Sequence, residues 1–480
     1  MPWLFVLICV VLLLVLLLVR TIRFRPPVKR ISTAVLQFPA DPEVVARKLS
    51  AAVKIPTISF PEPDTEREKA MLALHAELER LFPLVHAQLR KEIINGYSLA
   101  FHWKGKQAGN AGLITAHMDV VPIEPGTEND WTHEPFSGAM ADGYVWGRGT
   151  LDIKCHMICA LEAAEMLLTE KYVPEHDLWF AFGHDEEIGG KQGADRLVQW
   201  FSEKGIHFAW LVDEGGVVSD GVLKGVDRPI ALIGVGEKGF ANVKFTARDG
   251  GGHASMPPPH SALGRIATFL HKLEQTPMKA RLIPPIRTFL GGIGREMPFG
   301  IRFILANLWL FEPLFIKVFT ASPAGNALLR TTTAVTMAEA SNAPNVLPQR
   351  AQAVANFRLL PGDTGDSLLA HLKAIAKGMD IEMEFLQMDN PSTLSSPDHP
   401  AFKRLADAAG SLYPDAIVVP YLVLAATDAR KYESVADNQY RFTPYRIEQT
   451  DLKRIHGTDE RISVDNLNRC VAFFRYMMEG

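Results

Sequence analysis

Cysteine is scarce in this 480-residue chain, which holds four: Cys9, Cys155, Cys159 and Cys470. Cys9 lies in an apolar N-terminus, and three remaining thiols make no disulfide framework, so the fold does not depend on an oxidising compartment. An excess of one charge is also missing. Fifty basic residues against 54 acidic ones leave a formal net of −4. No basic tract in the soluble part points to nucleic acid as a partner. Internal repeats and long low-complexity tracts are absent, and the length exceeds one compact core, so two or three domains are expected.

The N-terminus lacks charge altogether from Pro2 to Val19. That stretch is at the short end of what crosses a hydrocarbon core of ~30 Å. Features of a cleavable signal are missing as well. Basic residues (Arg20, Arg23, Arg25, Lys29, Arg30) follow the apolar run instead of preceding it, and no Ala-x-Ala site follows. The reading is an uncleaved single-pass transmembrane anchor over residues 1–22, then a linker over 23–41 containing Pro26-Pro27. The positive-inside bias puts the remainder on the cytoplasmic face.

What is present is an alternation of helical and strand patterns. Helical spacing covers Val44 to Val53 and about Thr65 to Leu84, then Cys155 to Leu168. Gly112 to Ala116, Leu178 to Phe182 and Ala209 to Val212 read as strands. This order predicts an α/β catalytic domain, a mostly parallel sheet covered by helices. Polar residues just after each strand lie where such sheets carry their sites. Near Ile230 the pattern becomes β-α-β-β-α-β, which predicts an inserted two-layer α+β domain over 230–390. The catalytic domain then spans 42–229 and 391–480. Within the insert, Phe299 to Phe319 is almost continuously apolar. It reads as a packed element or interface, a wall for an acyl chain, or a surface against a membrane.

Gly183-His184-Asp185-Glu186-Glu187-Ile188-Gly189-Gly190 follows the apolar run Leu178 to Phe182. Adjacent carboxylates at the end of a buried strand must pair, bind metal or protonate. Alone, the stretch reads more readily as a solvated acidic turn. His117-Met118-Asp119 follows another strand, so His117 can ligate a metal while Asp119 fixes its tautomer. Gly147-Arg148-Gly149 brings Asp152 to the head of a helix, as an N-cap or as a carboxylate bridging two cations. Asp213 ends a further strand, and His456 lies far along the chain. Together His117, Asp152, Glu187, Asp213 and His456 suit a pair of Zn2+ ions, with Co2+ or Mn2+ as substitutes. Glu186 is left as general base.

The chain resembles the dinuclear-zinc amidohydrolases and exopeptidases that include aminoacylase-1, carboxypeptidase S, succinyl-diaminopimelate desuccinylase and glutamate carboxypeptidase. The resemblance covers about residues 42 to 478. It rests on His117-Met118-Asp119, Gly147-Arg148-Gly149 with Asp152-Ile153-Lys154, Asp185-Glu186-Glu187-Ile188-Gly189, Asp213-Glu214-Gly215 and His456-Gly457-Thr458. It implies that His117, Asp152 and Asp213 hold one zinc and Asp152, Glu187 and His456 the other. Glu186 is then the acid/base, with Asp119 beside it. It implies that the inserted domain is a lid that forms a homodimer. His253, in Gly251-Gly252-His253-Ala254-Ser255, then reaches the substrate oxyanion, in some relatives from the neighbouring subunit. Asn345 and Arg358 match substrate-binding positions, with Arg430 a second carboxylate partner. Cys155 departs from the family, which often has Gly there; with Cys159 it reads as core.

The implied reaction is cleavage of an amide beside a free C-terminal carboxylate, in a small peptide or an N-acyl amino acid. The anchor and the long insert look most like the carboxypeptidase S branch with its N-fatty-acyl amino acid hydrolases. Two other readings stay open: an inactive lid-bearing receptor or scaffold, and a hydrolase using a single metal.

Overall fold

Leu178, Phe180 and Phe182 enter one hydrophobic core while Trp179 and Ala181 enter another. Successive side chains of a strand point to opposite faces, so a run apolar at every position must be covered on both sides. The computed structural model describes residues 2–24, 36–39, 41–60, 65–221, 225–448 and 450–480. Most of the expected linker, including Arg25, Lys29 and Arg30, lies outside the described residues.

The strand His176–Gly183 lies between Ser98–Trp103 and Gln107–His117 in a ten-stranded sheet. Gln107–His117 pairs in parallel with His176–Gly183 and with Trp210–Asp213, which pairs in parallel with Gln439–Arg441. Antiparallel pairs occur on both flanks, so the sheet is mixed, and its parallel centre carries the polar strand ends. On one face pack Val44–Val53, Lys154–Thr169 and Val464–Met478, through residues such as Leu49, Ile158 and Phe473. On the other packs Ala194–Glu203, through Leu197 and Phe201. Each such buried side chain contributes about 1.5–3 kcal/mol relative to exposure.

A second, antiparallel sheet runs in the order Thr332–Glu339, Arg350–Leu359, Gly239–Arg248, Glu382–Asp389. Its Phe245 and Phe357 pack with Phe269 and Leu368 of two covering helices, as the alternating pattern of these strands requires. The change of sheet falls later than Ile230. Ile230–Glu237 pairs with Ile417–Val423 in the main sheet, and the chain crosses at Lys238. Lys238 is held there by donating to the carbonyls of Ala327 and Arg330 at 2.8 Å, and burial pushes its amine down to about 7.

Phe299 to Phe319 is two helices, Phe299–Ala306 and Leu308–Phe319, broken at Asn307. One side packs: Leu305 and Phe315 join Ile286, Phe289 and Leu422 in a core against Ile417–Val423. The other side is uncovered, leaving Phe299, Ile301, Trp309, Leu310, Leu314 and Val318 exposed.

Candidate active site

Three parallel strands end beside one another, and their last residues meet the loops that follow. His117 ends its strand opposite Gly183, which opens the Glu186–Glu187 turn. Asp152 comes from the loop ahead of Lys154–Thr169. That loop passes close to its neighbours: a Cβ on Gly149, whose φ is +86°, would stand 2.7 Å from a methyl of Val120.

The geometry centres on Asp152. Its Oδ1 lies 3.2 Å from His117 Nε2 and its Oδ2 lies 3.0 Å from His456 Nε2. One carboxylate therefore presents an oxygen to each imidazole, as a bridging ligand must. Glu187 Oε2 is 3.2 Å from His456 Nε2, and Glu214 Oε1 is 3.2 Å from His117 Nε2. Asp119, fully buried, has Oδ1 3.3 Å from His117 Nδ1 and accepts the Ser59 hydroxyl at 2.6 Å. It also accepts the backbone N–H groups of Glu186 and Glu187 at 3.1 and 3.2 Å. A single carboxylate thus orients the imidazole and the acidic turn together.

His117, Asp119, Asp152, Glu186, Glu187 and His456 are brought together. Asp213 is placed differently. Its Oδ2 accepts the Ala429 N–H at 2.8 Å, and the next residue, Glu214, faces His117. Neighbours at a strand end point opposite ways, so only one of the two carboxylates can enter. Glu214 was visible only as the second acid of Asp213-Glu214-Gly215.

Electrostatics fit a cation site. Burial raises the carboxyls of Glu186 and Glu187, and pushes Glu214 up to about 8 and Asp213 up to about 6. Hydrogen bonds that His456 donates to Asp152 and Glu187 raise its imidazole to about 10. For Asp152 burial acts upward, but the two imidazoles outweigh it and hold the carboxyl low. More carboxylates than imidazoles crowd one buried space, which leaves it short of positive charge. Glu187 Oε1 is buried without a partner among the described residues. His117, Glu186 and Glu214 form one group of converging ligand atoms, and His117, Asp152 and Glu187 another, each within 4.8 Å. Imidazole and carboxylate without thiolate is a donor set that suits Zn2+. Cys155 and Cys159 are buried, and burial raises both thiols, so they belong to the core.

Glu186 and Glu187 line a cleft of about 410 Å³ together with Phe240, Arg358, Thr427 and Arg430. Arg358 lies 4.7 Å over the Phe240 ring, and burial, then the nearby charge of Arg430, lower its guanidinium. Arg430 reaches Asp389 at 3.4 Å, while its Nη1 is buried without a partner among the described residues. His253 and Asn345 are brought to each other, not to this cleft: the Ala254 N–H donates to the Asn345 carbonyl at 3.0 Å, and both side chains are exposed. A larger cavity of about 520 Å³, beside His399, Arg404 and Tyr476, contains none of the predicted site residues.

The profile of Peptidase family M20/M25/M40 matches residues 113–480. The chain belongs to the M20 peptidase family. It is 37% identical over 444 residues to probable carboxypeptidase S-like 2 of Dictyostelium discoideum, covering 91% of this chain and 85% of the relative. It is 35% identical over 460 residues to human N-fatty-acyl-amino acid synthase/hydrolase PM20D1, covering 94% and 91%. The M20 metallo-carboxypeptidase Sso-CP2 of Sulfolobus solfataricus superposes with a TM-score of 0.66 at 18% identity, over 91% of this chain and 98% of that one. The chain is thus an enzyme of a metal-dependent peptidase and amidohydrolase family.

Within this M20 fold the loop bearing Asp152 is tied to the loop bearing His456 by a buried ion pair. Arg148 donates to Glu460 at 2.6 Å and to the Gly457 carbonyl at 3.0 Å. The other oxygen of Glu460 accepts the N–H groups of Leu151 and Asp152 at 2.7 and 3.1 Å. Glu460→Gln leaves the Arg148 charge buried and unpaired, with an expected loss of about 3–5 kcal/mol of stability. The midpoint of urea unfolding measures it.

Proposed function

We propose that this M20 enzyme hydrolyses an amide bond adjacent to a free α-carboxylate, using Glu186 as acid/base. The observation that carries the reading is the cleft that places Glu186 and Glu187 in the same cavity as Arg358 and Arg430. Guanidinium groups grip a carboxylate through paired hydrogen bonds, and Arg430 has a donor free to do so. A substrate anchored there by its carboxylate presents the neighbouring amide to Glu186.

His117, Asp152 and Glu214 would hold one Zn2+, and Asp152, Glu187 and His456 a second. When bound, such ions polarise the amide carbonyl and make a water acidic enough to attack at neutral pH. Glu186 accepts the attacking water's proton on its carboxylate and returns it to the departing nitrogen. Asp119 holds the Glu186 backbone and His117 so that neither reorients as charge shifts. His253 and Asn345, paired on the exposed rim of the inserted domain, would complete the oxyanion contact from a second subunit. That role makes the inserted domain a lid and the enzyme a homodimer.

Substrates are small peptides or N-acyl amino acids, with hydrophobic acyl groups preferred. Carboxypeptidase S-like and N-fatty-acyl-amino acid hydrolase relatives support both classes. Condensation of a fatty acid with an amino acid is the reverse of the same reaction. The helix Pro2–Arg23 has a mean hydropathy of 3.3 over its most apolar window and is read as an uncleaved anchor, with the catalytic domain on the cytoplasmic face.

Arg358→Ala is expected to raise KM with little change in kcat for substrates ending in a free carboxylate. The penalty disappears for the matching C-terminal amides, and an equal penalty on both would refute the carboxylate grip. The overall reading is tested by incubating the zinc-loaded full chain with dipeptides and N-long-chain-acyl amino acids, with and without chelator. Chelator-sensitive release of a carboxyl-terminal amino acid is expected, and no turnover of any amide by the metal-loaded protein would overturn it.

A further inference from the structure

The uncovered side of the helices Phe299–Ala306 and Leu308–Phe319 does not take part in the chemistry above. Where it lies is decided by what it touches. Asn307, the break between the two helices, is fully buried against the end of the N-terminal helix. Its amide donates to the Leu17 carbonyl at 3.2 Å, to Thr21 Oγ1 at 3.2 Å and to its own Phe303 carbonyl at 2.9 Å. Thr21 donates to the same Leu17 carbonyl at 2.8 Å, and Arg20 Nε donates to the Ala306 carbonyl at 3.4 Å. Leu17 is 3% exposed, whereas most of the helix before it is bare. Phe24 packs into the same core as Leu305 and Phe315.

Depth follows from length. The helix Pro2–Arg23 has 22 residues, which at ~1.5 Å each span about 33 Å, against a hydrocarbon core of ~30 Å. Arg20 and Arg23 then mark the headgroup level. Leu17 is nearly a turn inside Arg20. The elbow at Asn307, bonded to Leu17 and Thr21, must lie at that same depth. Its two short helices leave the elbow with Phe299, Ile301, Trp309, Leu310, Leu314 and Val318 uncovered. The acidic Glu312 between them is paired with Arg287 at 2.6 Å, and Lys317 remains exposed as a headgroup partner.

We propose that this helical elbow is an in-plane membrane contact, embedded in the headgroup–acyl boundary of the bilayer that Pro2–Arg23 crosses. The proposal rests on reading Pro2–Arg23 as a span and is independent of the reaction. Amphipathic helices with an apolar side and basic residues at the rim bind at this level. The consequence is orientation. A lone span on a linker tethers a domain; a span plus a second contact fixes its tilt. The elbow shares a core with the helix Pro284–Ile293 and the strand Ile417–Val423 that this helix packs on, and the chain leaving that strand lines the catalytic cleft at Ala425, Ala426 and Thr427. The cleft is therefore held at a set height above the lipid, where amphiphilic acyl substrates partition.

The test uses the full chain in phosphatidylcholine–phosphatidylglycerol vesicles, with an environment-sensitive fluorophore on single cysteines. Cys9 reports the span; in a Cys9→Ser background, Leu314→Cys and Val318→Cys report the elbow and Leu263→Cys, on the inserted domain, serves as the aqueous control. Expected is quenching of Cys9, Leu314→Cys and Val318→Cys by nitroxide lipids, with Leu263→Cys quenched only by aqueous iodide. Iodide quenching of both elbow sites while Cys9 remains lipid-quenched overturns the proposal and leaves the span. Loss of lipid quenching at Cys9 overturns the span and the proposal together. Protection of the elbow sites from both quenchers means that a second copy covers them, which also overturns it.

Discussion

Glu186→Gln is expected to lower kcat by about 10³-fold with bound metal retained, because on the proposed mechanism it removes a positioned proton acceptor without removing a ligand. The backbone N–H of Glu186 stays on Asp119 in the variant, and Gln fills the same volume. Metal analysis separates this loss from a loss of structure. The double variant Glu186→Gln with Asp119→Asn tests how the two work together. If Asp119 acts by holding His117 and the turn, its own substitution weakens metal affinity about 10–100-fold while Glu186→Gln does not. A Glu186→Gln protein with wild-type turnover would refute the acid/base role.

The second large effect distinguishes two adjacent acids. Glu214→Ala is expected to lose one of two bound metal ions and nearly all turnover, since Glu214 Oε1 is the carboxylate oxygen facing His117 Nε2 beside Asp152. Asp213→Asn is expected to keep both ions, because the carboxamide oxygen still accepts the Ala429 N–H that Asp213 Oδ2 accepts now. Metal content by mass spectrometry of the two purified variants decides the matter. Loss of an ion from Asp213→Asn with retention in Glu214→Ala would restore the assignment of Asp213 that the resemblance implied. Both outcomes are large, because a ligand contributes to folding as well as to binding.

The contrast between these acids marks how far reasoning from local pattern reaches. His117, Asp152, Glu187 and His456 were expected from five motifs taken together and from the resemblance they carry, each motif being weak alone, and the structure brings these four side chains side by side. The direction of a side chain one residue beyond a strand is different, since Asp213 and Glu214 share composition and context. Their assignment depended on Ala429, more than two hundred positions away, supplying an N–H to one of them.

Distance along the chain accounts for the other differences. The Arg148–Glu460 pair joins segments 312 positions apart, and nothing local to either marks it as a buried bond. The β-α-β-β-α-β order led to the expectation of an inserted domain from Ile230; the parallel pairing of Ile230–Glu237 with Ile417–Val423 in the main sheet had no local mark. His253 and Asn345 were singled out by the resemblance alone, and the structure pairs their segments on an exposed edge of this chain.

By itself the sequence determined the family, through the five ordered motifs that carry its resemblance, and the α/β plan, through the periods of two and 3.6 that the backbone imposes. Only the tertiary structure decided which carboxylate turns inward, which loops are tied together, and that Phe299 to Phe319 is half core and half bare surface beside the N-terminal helix. Those outcomes depend on which distant segment supplies the hydrogen bond or covers the apolar face, and a one-dimensional pattern carries no such partner.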